Sequence, residues 1–194
     1  MQILGQRDDR WGNIKLGYSN TLIRDYGCTI TCLAMILSTT PDVVNERLKS
    51  VNGFASGNLI IWAKIEEAFP GIKQRRVWSY NNDDVKANVG HVLVEVPAKP
   101  IGGTGSHWVV YIGNQRLYDP WTGRERPTSD FPGQTGYCVI TGSWQQVQPQ
   151  APTNQSDLDK LREERDRNWN LYQAELGVNK TLQAKIDNAK KALG

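Results

Sequence analysis

The hydrophobic period of this chain changes part-way along it, and that change limits the fold more than any other feature. Up to about residue 70 the apolar side chains recur at helical spacing. Cys28-Thr29-Ile30-Thr31-Cys32-Leu33-Ala34-Met35-Ile36-Leu37 reads as one helix, and a second follows Pro41 through Val43, Val44 and Leu48. A third is expected over residues 58–69, burying Leu59, Ile60, Trp62, Ala63, Ile65 and Phe69 and stopping at Pro70-Gly71. Beyond it the apolar runs become short, β-branched and bounded by Gly or Pro. They cover residues 91–96, 107–112, 115–119 and 137–140. Helices first and strands later predict an α+β domain in which the helices pack on a segregated antiparallel sheet.

A second break is compositional. Residues 1–143 carry the aromatic and β-branched content of a folded domain, whereas 144–155 are Gln/Pro-rich, with almost nothing to bury, and read as an extended linker. Ser156-Asp157-Leu158-Asp159 then supplies a helix N-cap with early acidic residues. The run from there to Leu193 has no Pro and a single Gly, Gly177, so residues 156–194 are expected to form a long amphipathic helix. Its apolar seam (Leu158, Leu161, Tyr172, Leu182, Ile186, Ala189, Leu193) is interrupted by Arg165, Asn168, Glu175 and Asn179. A lone helix with so thin a seam is marginal in water. It is therefore expected to pack as an imperfect coiled coil, on a copy of itself in a homo-oligomer or on another protein.

Charge and cysteine content remove several classes of function. The formal net charge is +3, and Lys and Arg alternate with Asp and Glu instead of clustering. That pattern lacks the basic face that phosphate binding requires, so nucleic acid is not an expected partner. Met1-Gln2-Ile3-Leu4-Gly5-Gln6-Arg7 has no basic segment followed by an apolar run, and no stretch approaches the roughly 18 apolar residues of a membrane span. The expectation is a chain made soluble in the cytoplasm. Three cysteines, Cys28, Cys32 and Cys138, leave at least one thiol free. Their spacing with His91 and His107 fits no zinc finger or ribbon, so no metal is expected.

The chemistry centres on Asp25-Tyr26-Gly27-Cys28-Thr29-Ile30-Thr31. Gly27 permits a tight turn, which would set Cys28 in the first turn of an apolar helix. Free N–H groups and the positive helix end there favour a thiolate and can hold an oxyanion. Cys32, one turn further and flanked by Ile30, Leu33 and Ala34, reads as core. A thiol nucleophile needs a base, and the chain has two histidines. His91 opens an apolar strand and is expected at a sheet edge. His107 follows the loop Gly102-Gly103-Thr104-Gly105-Ser106 and begins a strand that turns near Gly113-Asn114-Gln115. A three-residue loop there would place Ile112 opposite Arg116 and Val109 opposite Asp119, which sets His107 and Asp119 diagonally on one sheet face. A two-residue loop would flip one of them away. Asp119 is then either the group that orients the imidazole or a cap on the turn before Pro120. Gln6 is either an oxyanion donor or a surface amide.

Taken together, Gln6-Arg7-Asp8-x-Arg10-Trp11, Lys15-Leu16-Gly17, Tyr26-Gly27-Cys28-x-Ile30-Thr31-x-Leu33-Ala34-Met35, Ser106-His107-Trp108-Val109-Val110 and Tyr118-Asp119-Pro120-Trp121 resemble a known group. That group is the double-glycine-leader (bacteriocin-processing) peptidase-like cysteine peptidases of the papain-like clan, and the likeness spans roughly residues 3–141. The resemblance implies a papain-like fold, cleavage of amide bonds and no cofactor. Carried over by position, Cys28 is the nucleophile, His107 the base, Asp119 the orienting residue and Gln6 the oxyanion donor. Members with this N-terminal string occur in phage lysins and bacterial cell-wall enzymes. The expected activity is therefore an endolysin-type peptidoglycan hydrolase, released by a phage holin or carried on a virion. The alternatives are a peptidase acting on a protein or peptide precursor, an amidase or transferase using the same thiol, and a non-catalytic papain-like scaffold.

Overall fold

The run from Cys28 to Leu37 is apolar on almost every side, and it forms a helix whose residues Ile30 to Met35 are all buried. Around it the computed structural model describes residues 1–144, and the expected helix over 156–194, with most of the expected linker, lies outside the described residues. In chain order the elements are α1 (Ile23–Tyr26), α2 (Cys28–Leu37), α3 (Pro41–Ser50), β1 (Phe54–Ala55), β2 (Leu59–Ile60), α4 (Lys64–Ala68) and β3 (Ile72–Val77). They continue with α5 (Asn82–Ala87), β4 (Val92–Pro97), β5 (Ser106–Gly113), β6 (Arg116–Asp119), β7 (Arg124–Pro127) and β8 (Gly136–Gly142). The fold is mixed α+β. Six strands make an antiparallel sheet in the order β3-β8-β4-β5-β6-β7, and β1 and β2 form a separate hairpin.

The alternation of side chains along the central strands divides the core in two. Leu93, Trp108, Val110, Cys138 and Ile140 join the helical residues Ile30, Leu33, Val44, Leu48 and Ile65. Val92, Val94, Val96, Val109, Tyr111 and Val139 pack on the opposite face with Val85 and Phe131. Strands buried on both faces read as continuous apolar runs, which is why β4, β5 and β8 stand out in the sequence. Each fully buried Val or Leu contributes about 1.5–3 kcal/mol, so the middle of the sheet, with several such side chains on both faces, is firmly held. No described helix is long and apolar enough to cross a membrane.

Several expectations are corrected. Residues 58–69 are not one helix: β2 and α4 divide them. Ser56 and Gly57 adopt positive φ (48° and 88°), which reverses the chain and pairs Phe54 with Ile60. Leu59 is consequently 62% exposed and Ala63 is exposed, while Ile65 and Phe69 are buried as expected. β3 and β7 were not expected as strands. Lys73-Gln74-Arg75-Arg76 and Arg124-Glu125-Arg126 are charged because they lie on the two outer strands, where charge discourages further pairing. His91 is exposed at the start of β4, a central strand, and so is not at a sheet edge. Trp144, expected in the linker, packs edge-on against Phe69 with ring centroids 5.1 Å apart.

The β5–β6 turn reaches the expected register by another route. Val110 faces Tyr118 and Tyr111 faces Leu117, as a three-residue loop would require, yet Gly113 pairs with Arg116 across a loop of only Asn114 and Gln115. Both loop residues have positive φ (49° and 57°). A bulge between Tyr111 and Gly113 absorbs one residue and restores the parity that the two-residue loop would otherwise reverse.

Candidate active site

Gly27 joins α1 to α2 with its N–H donating to Ile23 O at 2.7 Å. Its φ of −83° is open to any residue. A Cβ at this position, however, would stand 2.5 Å from Ile23 O and 2.6 Å from Ile23 Cγ2. Close contact with Ile23, at the start of α1, therefore dictates glycine here. The junction sets Cys28 as the first residue of α2, where the N–H groups of the opening turn have no helical acceptor. Those groups and the positive end of the helix favour negative charge at the sulfur. One turn on, the Cys32 thiol donates to Trp108 O at 3.3 Å, which ties α2 to β5 beside His107.

His107 and Asp119 are buried, at 2% and 0% exposure, and His107 Nε2 lies 2.8 Å from Asp119 Oδ1. That bond leaves Nδ1 for the thiol. Asp119 accepts more than the imidazole: the Trp121 N–H donates to Oδ1 at 2.9 Å, Thr122 Oγ1 to Oδ2 at 3.1 Å, and Arg126 Nη1 to Oδ2 at 3.3 Å. The two roles open for Asp119, orienting the ring and capping the turn, are both filled, and one oxygen serves both.

The electrostatics follow from these contacts. Burial pushes the Cys28 thiol up, but hydrogen bonding and charge from His107, the Trp108 backbone and the Thr29 hydroxyl together hold it below its ordinary value. Burial pushes the His107 imidazole down, and Asp119 and Cys28 outweigh it and raise the ring to about 9. Asp119 is likewise opposed by burial, yet His107, Trp121 and Thr122 keep its carboxyl below the usual range. The lowered thiol and the raised imidazole both favour proton transfer from Cys28 to His107. Cys32 goes the other way, raised far above an ordinary thiol by burial and by the charges of Cys28 and Asp119. Burial pushes the Cys138 thiol up to about 12.

Cys28 is half-buried and opens, with His107, into a cleft of about 750 Å³. The start of α2, the β1–β2 hairpin and the glycine-rich loop before β5 line it. In that loop Gly102 and Gly105 hold positive φ of 77° and 83°, which bends the chain just ahead of His107. Gln6 also reaches the cleft and is 1% exposed, so it is not a surface amide. Its Nε2 donates to Arg24 O at 2.9 Å and makes a longer contact of 3.4 Å to Ile23 O, while Oε1 has no partner among the described residues. The amide thus braces α1, and only the N–H on the weaker, 3.4 Å contact could be redirected to an oxyanion.

All four expected site residues, Cys28, His107, Asp119 and Gln6, are brought to one place. Sequence reading overlooked Trp121, Thr122, Arg126 and Phe131. An Asp-Pro-Trp-Thr string signals a side-chain-capped turn and points to the first two. No local pattern points to Arg126 or Phe131. No protein-family model matches the chain, and no curated protein matches it.

Proposed function

We propose that this chain is a papain-like cysteine peptidase, with Cys28 as nucleophile, His107 as base and acid, and Asp119 as the residue that orients the ring. The observation that carries it is the buried 2.8 Å contact between His107 Nε2 and Asp119 Oδ1, which leaves the other ring nitrogen unengaged by Asp119, in a ring that interacts with a half-exposed thiol at a helix N-terminus. Structural cysteines lie in apolar surroundings with a raised pKa, as Cys32 and Cys138 do. Cys28 departs from that pattern in its partial exposure and its lowered pKa.

In the reaction the Cys28 thiolate attacks the carbonyl carbon of an amide, and the π electrons move to the carbonyl oxygen. The N–H of Cys28 and the less engaged Nε2–H of Gln6 are the donors for that oxyanion. The imidazolium gives its proton to the departing nitrogen, the C–N bond breaks, and a thioester remains on Cys28. Water then attacks the thioester and passes a proton to His107. The acid leaves and the thiolate–imidazolium pair returns.

The substrate proposed is a peptide amide of peptidoglycan, in a stem peptide or cross-bridge. The support is the resemblance of the strings around Gln6, Cys28, His107 and Asp119 to wall-degrading peptidases, together with a cleft of about 750 Å³ beside Cys28. Mass spectrometry of purified peptidoglycan, treated with the chain or with Cys28→Ala, tests this. New amine and carboxyl termini produced only by the unsubstituted chain are expected. Cleavage of linear peptides without release of wall fragments would move the substrate to a protein or peptide precursor. An absence of Cys28-dependent cleavage of either would leave a papain-like scaffold.

A further inference from the structure

Arg126 stands on the outer strand β7, opposite Leu117 of β6, and its side chain turns inward to three groups. Nη1 donates to Asp119 Oδ2 at 3.3 Å, Nε donates to Asp130 Oδ2 at 2.8 Å, and the guanidinium carbon lies 4.5 Å from the centroid of Phe131. Phe131 is fully buried, and its ring sits 6.0 Å from that of His107 at an interplanar angle of 36°. The contacts close a circuit: His107 to Asp119, Asp119 to Arg126, Arg126 to Phe131, and Phe131 back to His107. The circuit meets the imidazole both at its Nε2 atom and through its ring.

We propose that Arg126 is a positioning residue of the Cys28–His107 site, fixing the Asp119 carboxylate and the Phe131 ring that together hold the imidazole toward the thiol, and offsetting part of the carboxylate's charge. This deepens the thiol–imidazole reading and rests on it. The ionisable groups facing His107 are the Cys28 thiol from α2 and the Asp119 carboxylate from β6, with Arg126 from β7 behind the carboxylate and Asp130 behind Arg126. β4 presents uncharged Val96 opposite His107. Among the described residues Arg126 is thus the one cation in this group other than the imidazolium itself. Placed on the far oxygen of Asp119, it leaves that carboxylate ionised yet limits how strongly it stabilises the protonated ring.

Two substitutions move the ring in opposite directions. Arg126→Gln removes a positive charge from the circuit, so the imidazolium should become more stable and its titration midpoint should rise. Asp130→Asn frees Arg126 from its second carboxylate and leaves its charge on Asp119 alone, so the midpoint should fall. Arg126→Lys keeps the charge and should stay closer to the unsubstituted chain. Because the chain has only two histidines, His91 and His107, ring ¹⁵N and ¹³C NMR titrations resolve both, and His91 serves as an internal control. The expected result is a rise of about half a pH unit or more for Arg126→Gln, a fall for Asp130→Asn and an unmoved His91. An unmoved His107 in both variants, or shifts of the same sign, would overturn the proposal. If Arg126→Gln does not fold, the sign of the Asp130→Asn shift decides alone. The titration needs no substrate, so a chain that cleaves nothing yet shows these shifts would defeat the peptidase reading and leave the role of Arg126 standing.

Discussion

The first and second turns of α2 each carry a cysteine, and their surroundings differ in three ways. At Cys28 the helix is just beginning and its N–H groups have no helical acceptors; at Cys32 they are consumed within the helix. His107 acts on the Cys28 sulfur, whereas the nearest polar group to Cys32 is the Trp108 carbonyl, an acceptor for a neutral thiol. Cys28 opens to a cleft, and Cys32 is 0% exposed. Burial alone pushes both thiols up. A helix end and a cationic neighbour reverse the outcome at one position, and a single turn of 5.4 Å is enough to lose both. Reactivity here is a property of place more than of residue type.

Exchange of either sulfur is the strongest way to break that comparison. Cys28→Ala should lower turnover of a cleaved peptide by about 10⁴-fold or more with an unchanged melting temperature. Cys32→Ala should leave turnover close to that of the unsubstituted chain. Equal losses from both would show that the two turns are not distinct. Asp119→Asn comes next. The loss in kcat/KM should be on the order of 10²-fold, the low end of what a positioned acid–base group contributes. Removing the carboxylate also withdraws part of what raises His107, the Cys28 share remaining, so the alkaline limb of the pH profile should move down from about 9. A limb that stayed in place would show that Asp119 only caps its turn. The smallest effect is on folding. Gly27→Ala would force a Cβ against the Ile23 backbone and should cost about 2 kcal/mol in chemical denaturation. A cost within error of zero would mean that the α1–α2 junction yields freely and does not set the thiol's position.

How far the sequence shows these differences follows from where each residue sits. The start of α2 was legible because Gly27 precedes an uninterrupted apolar run, although the glycine is required by contact with Ile23 and not by its backbone angle. His107 and Asp119 were legible as a pair because sheet parity leaves few registers. The turn that achieves it was not, since a bulge at Ile112 and a shorter loop give the same parity. β3 and β7 were hidden by their own charge, the signature of an outer strand being the lack of an apolar pattern. Arg126 was hidden for the same reason, as it reaches Asp119 only once β7 has paired with β6. In Gln6 the residue was readable but its hydrogen bonds were not, because the carbonyls it braces are exposed to it only by the fold of α1.

The most direct test of an ionised Cys28 is the pH dependence of thiol alkylation in the folded chain, followed residue by residue by mass spectrometry. Cys28 should react with iodoacetamide at a rate that is already level near neutral pH and falls only in acid, while Cys32 and Cys138 stay unmodified until the chain unfolds. A Cys28 rate that climbs through neutrality with a midpoint near the ordinary thiol value of about 8.5, or alkylation of Cys32 at a similar rate, would contradict it.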